Sequence, residues 1–166
     1  AAIDLFAVPA SAQVLSLWAD EGMTTCQVST AAPYQGFNLF VFLDPGPEGA
    51  FAVEYKLTTP VGPFAPSSVI NPVVSDATIG AWINGNGISA PCASCQNGLF
   101  WVVNLNRMGP DTVPGYYVLG LNDTTGFMGI AICAGARPML DGSAYNNFGF
   151  NDACVVGTEE SSWGAI

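Results

Sequence analysis

Residues Ala50 to Leu57 alternate strictly: Phe51, Val53, Tyr55 and Leu57 share one face, and Glu54 and Lys56 share the other. A two-residue period is the mark of a half-buried strand. The turn Asp44-Pro45-Gly46-Pro47-Glu48-Gly49 precedes it, and Gln35 to Leu43 comes before that with Phe37, Leu39, Phe40, Val41 and Phe42. The two runs are expected to pair as an antiparallel hairpin. The most apolar stretch is Leu99-Phe100-Trp101-Val102-Val103-Asn104-Leu105, which is hydrophobic at both odd and even positions. Such a run predicts a strand covered on both faces, at the centre of a sheet or sandwich. Asn106 to Pro110 reads as its end.

Further short strands are predicted over Val14–Asp20, Thr78–Asn84, Gly115–Leu121 and Phe127–Ala134. Asn84-Gly85-Asn86-Gly87 and Asn122-Asp123-Thr124-Thr125-Gly126 supply turns between them. Thr58 to Pro72, with four prolines, reads as an irregular crossover. The first ten residues form an apolar strand of their own, with Ile3, Leu5, Phe6 and Val8, closed by Pro9. Helical periodicity is absent. Short strands at regular spacing predict an all-β fold, an immunoglobulin-like antiparallel β-sandwich. The expected division is an N-terminal arm over 1–12, a sandwich over 13–156 and a polar tail over 157–166.

Composition sharpens this picture. Only 10% of the 166 residues are charged, while 50% are hydrophobic. The usual charged fraction is about 25%. No apolar run reaches the roughly 20 residues of a membrane-spanning helix, so the apolar excess is expected in a large core or in contacts with other chains. The net charge of −10 opposes nucleic-acid binding. A start at Ala-Ala without Met suits a chain exported through a cleaved signal peptide, and dispersed cysteines suit an extracellular or cell-surface location. Asn122-Asp123-Thr124 is a glycosylation sequon.

Chemistry is sparse. The chain has no histidine, which removes Ser-His-Asp and Cys-His catalysis and most catalytic zinc sites. Cys92-Ala93-Ser94-Cys95 is a C-x-x-C without the His of haem attachment or the βαβ context of a redox enzyme. Structural disulfides are expected instead, with Cys133 bridged to Cys154 and Cys26 to Cys92 or Cys95. Five cysteines leave at least one thiol over. Asp141-Gly142-Ser143-Ala144-Tyr145-Asn146-Asn147 is a weak calcium candidate centred on Asp141, and it fails the EF-hand pattern. Asp20-Glu21 and Asp44…Glu48 are similar loop acids. No metal or cofactor is required by this reading, and no enzyme is expected. Trp18 and Trp101 sit in apolar strands and read as core; Trp82 and Trp163 are open to a glycan-binding role.

The Trp18 strand with Thr25-Cys26, the block from Cys95 through Leu99-Phe100-Trp101-Val102-Val103, the strand Ile130-Ala131-Ile132-Cys133 and the closing Ser161-Ser162-Trp163-Gly164 resemble uncharacterised exported proteins of environmental bacteria. The first ten residues look like the donor strand of a pilin. That resemblance implies a subunit of an extracellular filament, pilus-like fibre or sheath, whose partners are copies of itself joined by β-strand complementation. The alternative expectation is a secreted carbohydrate-binding or adhesin-type module.

Overall fold

The computed structural model describes residues 13–30, 32–60, 64–83, 85–108, 113–136 and 146–155. The proposed arm, Asp141 and the tail lie outside them. Eleven strands are described: β1 (Val14–Trp18), β2 (Gln27–Val28), β3 (Phe37–Asp44), β4 (Ala50–Thr58), β5 (Phe64–Ile70), β6 (Ile79–Gly80), β7 (Ile88–Gln96), β8 (Phe100–Met108), β9 (Gly115–Gly120), β10 (Gly129–Ile132) and β11 (Phe148–Phe150). They form a β-sandwich. One sheet has four strands in the order β1-β3-β8-β5. The other has seven, ordered β2-β11-β9-β4-β7-β6, with β10 also paired to β4. All pairings are antiparallel except β2 with β11.

The core lies between the sheets. Leu15, Leu17, Leu39, Val41, Leu43, Val103 and Leu105 face Val53, Tyr55, Leu57, Ile88, Tyr117, Leu119 and Ile130. These are alternate positions of their strands, so the two-residue period places one set inward. Burying each such side chain fully contributes about 1.5–3 kcal/mol gross. Phe51 departs from the alternation and stays 47% exposed, because the β4–β7 register shifts between Ala50 and Ala52.

Several expectations are corrected. β3 and β4 are not a hairpin: β3 pairs with β1 and β8, β4 with β7, β9 and β10. The Pro-Gly turn between them carries the chain from one sheet to the other. The stretch expected as a crossover contains β5, whose Ser67 to Ile70 pair with Asn106 to Val103. The strand expected over Thr78–Asn84 shrinks to Ile79–Gly80. β8 runs on to Met108 rather than ending at Asn106, so Arg107 lies within the strand, points inward and is 1% exposed. Its Nε donates to the Tyr117 hydroxyl at 3.0 Å, and the guanidinium carbon lies 5.4 Å from that ring's centre. Phe37 stacks on Phe150 at 5.3 Å beside this pair and meets Tyr117 edge-on at 6.2 Å.

The disulfides join Cys26 to Cys154 and Cys95 to Cys133, leaving Cys92 as a buried thiol. The expected bridges, Cys133–Cys154 and Cys26 to Cys92 or Cys95, are therefore wrong, and topology gives the reason. β7 and β10 flank β4, and both Gln96 and Ile132 are in register with Ala50. Cys95 and Cys133 thus meet over the start of β4, at Gly49. A Cβ there would lie 2.8 Å from Cys133 Sγ and 3.0 Å from Cys95 Sγ, and φ is +66°; only glycine lets the bridge pass over the strand. Similarly, β11 pairs with β2, and the chain then doubles back so closely that a Cβ on Gly149 would lie 2.2 Å from the Asp152 carbonyl oxygen. That return brings Cys154 to Cys26.

Candidate functional surfaces

Two surfaces stand out, one on the outer side of each sheet. On the four-stranded sheet the register aligns Trp18 with Phe40, Phe40 with Asn104 and Asn104 with Val69. A neighbouring row holds Ser16, Phe42 and Trp101. Ser16, Trp18, Phe40, Phe42 and Asn104 alternate with the inward Leu15, Leu17, Val41 and Val103, and the register shift at Val102 turns Trp101 to the same outer side; Phe40 and Phe42 are nonetheless covered there, 4% and 5% exposed. Phe40 lies 6.0 Å from Phe42 and meets Trp101 edge-on at 6.1 Å. Trp18 donates its indole N–H to Ser16 Oγ at 2.9 Å. Both indoles are half-buried on this outer face rather than in the core expected for them, whereas Trp82 packs against the core. At the margin Val69 is 52% and Leu99 49% exposed. Neither row contains a charged side chain. Farther along, Asn106 donates to Ser67 Oγ at 2.9 Å.

The edge of this sheet at β1 is closed by a side chain. The Asn146 amide accepts from the Leu17 N–H at 2.7 Å and donates to the Leu17 carbonyl at 2.9 Å, imitating one rung of a ladder. The Ala19 N–H donates to the Thr25 carbonyl at 2.9 Å. An incoming strand would find those groups already bonded.

The second surface lies on the seven-stranded sheet. Glu54 is in register with Ser89 of β7, and Ser89 with Ile79 of β6. The loop Asn122–Gly126 folds over this row. It is anchored by the Asp123 N–H to the Asn86 carbonyl at 2.5 Å, by Lys56 Nζ to the Asp123 carboxylate at 2.5 Å, and by the Thr125 hydroxyl donating to Glu54. The result is a groove of about 580 Å³ between the loop, β6 and the sheet. Glu54 is only 5% exposed on its floor, and Ile79 is 74% exposed on its rim. Asn122 is itself buried, with its Oδ1 accepting from the Thr124 N–H at 2.9 Å. The sequon asparagine is thus engaged in a turn rather than presented to solvent.

The loop acids flagged from sequence do not converge. The Asp20 carboxylate accepts from the Thr24 N–H and hydroxyl and from the Thr25 N–H. Partial desolvation alone would raise its pKa, but those hydrogen bonds outweigh it and hold the group below its ordinary value. Asp44 closes its own turn through the Gly46 N–H at 3.0 Å, and Glu48 accepts from Gln13 at 3.3 Å. Among the described residues no three His, Cys, Asp or Glu side chains gather as a metal site. The Cys92 thiol is pushed up by burial, the wrong direction for a reactive thiolate.

No protein-family model matches the sequence, and no curated protein matches it. Solved structures do. A chain of the CaDoc0917–CaCohA2 complex superposes with a TM-score of 0.59 at 11% identity, over 82% of this chain and 96% of that one. A non-cellulosomal cohesin from the hyperthermophilic archaeon Archaeoglobus fulgidus gives 0.53 at 11% identity, over 93% and 99%. The fold is cohesin-like. At this identity the likeness concerns the sandwich alone. Among the described residues no helix is long and apolar enough to cross a membrane.

Proposed function

We propose that this chain is an exported, non-enzymatic adhesion module that docks a small folded protein domain on the outer face of its four-stranded sheet. The observation that carries this reading is the uncharged outer face of the four-stranded sheet, where half-buried Trp18 and Trp101 and exposed Val69 and Leu99 surround the covered rings of Phe40 and Phe42, in a chain of net charge −10. Depletion of charge with enrichment in aromatics is the composition of an interface centre. The cohesin-like fold supports a binding role, and a dockerin-type domain is the class of partner that the neighbouring complex suggests. Two disulfides support an oxidising, extracellular setting.

Titration calorimetry of the intact chain against a set of dockerin-type domains tests the proposal. At least one should bind with micromolar affinity or better, and Val69→Asp should weaken it about 10-fold or more by placing a charge against a desolvated surface. No binding by any such domain, or binding indifferent to Val69→Asp and Leu99→Asp, overturns it. Gel filtration separates this reading from self-assembly through the residue 1–12 arm: the docking module elutes as a monomer, the filament subunit as a polymer.

A further inference from the structure

We infer that the groove over Glu54 is a second, small-ligand site that takes a neutral saccharide or polyol. It lies on the opposite sheet from the docking surface and stands independently of it. The volume of about 580 Å³ falls within the usual range for small-molecule sites, about 300–1,000 Å³. The floor and the covering loop are polar, with Glu54, Ser89, Asn122, Thr124 and Thr125, and the rim at β6 supplies Ile79 and the backbone around Gly80. A sugar ring matches that division, with hydroxyls along its edge and C–H groups on its face.

The chemistry selects among ligands. Asp123 is held by Lys56, so the groove offers one nearly buried carboxylate among neutral hydroxyls and amides. An anion is disfavoured there. A carboxylate only accepts, an amide N–H only donates, and hydroxyls do both. A polyol meets that mixture from every side, whereas an ammonium ion has no acceptor for the donors. The walls are also fixed before any ligand arrives. A Cβ on Gly80 would lie 2.2 Å from the Gly87 carbonyl oxygen, and one on Gly87 would lie 2.8–2.9 Å from Asn122, with φ of +105° and +120° at the two glycines. β6, the Gly87 turn and the covering loop are therefore interlocked, which lowers the ordering cost of binding.

Nitrogen-15 NMR titration of the intact protein with glucose, galactose, mannose, maltose and lactose tests the inference. At least one sugar should bind with millimolar affinity, shifting the amides of Ser89, Asn122 and Thr125 while leaving those of Phe40 and Val69 in place. Glu54→Gln keeps the side chain's shape and an acceptor for Thr125, and should weaken binding at least 10-fold. Ile79→Ala, at an exposed rim position, should weaken it several-fold without touching the fold. The inference is overturned if none of the five sugars shifts these amides at about 50 mM, well above a millimolar dissociation constant. It is equally overturned if both variants bind as the parent does, or if binding appears only with added calcium.

Discussion

At the scale of single residues, polar groups inside the sandwich show where stability is given up. Tyr55 is fully buried, and its hydroxyl has no hydrogen-bond partner among the described residues. A buried polar group without a partner costs about 1–3 kcal/mol. Tyr55→Phe should therefore leave stability unchanged or raise it by up to about 1–2 kcal/mol, read from the urea midpoint; a clear loss would reveal a bond to the hydroxyl. Burial also pushes the Tyr55 phenol far above its ordinary value. The sign follows: the unfolded chain releases this proton near pH 10, while the folded chain retains it. Stability is complete below pH 10 and should fall above it by about 1.4 kcal/mol per pH unit for this group. Burial raises Tyr117 as well, with the Arg107 bond and charge opposing, so Tyr55→Phe should reduce the alkaline slope without abolishing it. Arg107 shows what residue type alone conceals. It falls in the stretch that reads as the end of the strand, yet it continues the inward series Val103, Leu105, and only that period hints at its place.

At the scale of strands, the parts of the fold legible in the sequence were those with local causes. The alternation in β4, the doubly apolar β8 and the Gly-rich turn before β7 each follow from side chains a few residues apart. β5 was obscured by Pro66 and paired serines, and β7 by small residues around Pro91, because both take their stability from neighbours rather than from propensity. The sheet switch between β3 and β4 was invisible for a related reason: a Pro-Gly turn reverses the chain without specifying which sheet receives it. The candidate surfaces were partly legible. Trp18 and Trp101 stand out in the sequence but read as inward, and Glu54 reads only as a solvent-facing partner of Lys56, since the loop covering it comes from 68 positions or more along the chain. Asn146 belongs in sequence to the calcium-candidate loop, yet it completes β1. Asn146→Ala should cost about 2–4 kcal/mol, since it strips partners from both the N–H and the carbonyl of buried Leu17, and thermal unfolding checks this. Asn146→Asp should be no better, because a carboxylate cannot donate to that carbonyl.

At the scale of the whole molecule, the chain combines a strongly negative net charge with one uncharged aromatic face, and two disulfides with one protected thiol. Mass mapping of unreduced peptides should recover Cys26 with Cys154 and Cys95 with Cys133. Cys92 should react with thiol reagents only after unfolding. The Cys26–Cys154 bridge spans 128 positions and encloses every described strand except β1, which has a consequence for the chain under load. When the two ends are pulled apart, tension passes from the early chain through the sulfur–sulfur bond to the late chain and bypasses the sandwich. Among the described strands only β1, plugged by Asn146, lies in the stressed path. The enclosed segment would be about 450 Å long if extended, and the bridge keeps that length out of reach. Single-molecule pulling should show a short extension in oxidising buffer and a gain approaching that length, less the folded span and the part held by Cys95–Cys133, once only the outer bridge is removed by Cys26→Ser. An equal extension before and after that substitution would mean the load runs through the sheets. The bridge is thus a mechanical bypass, letting force pass between the ends of the chain while β2 to β11 stay folded and β1 alone is exposed to load among the described strands.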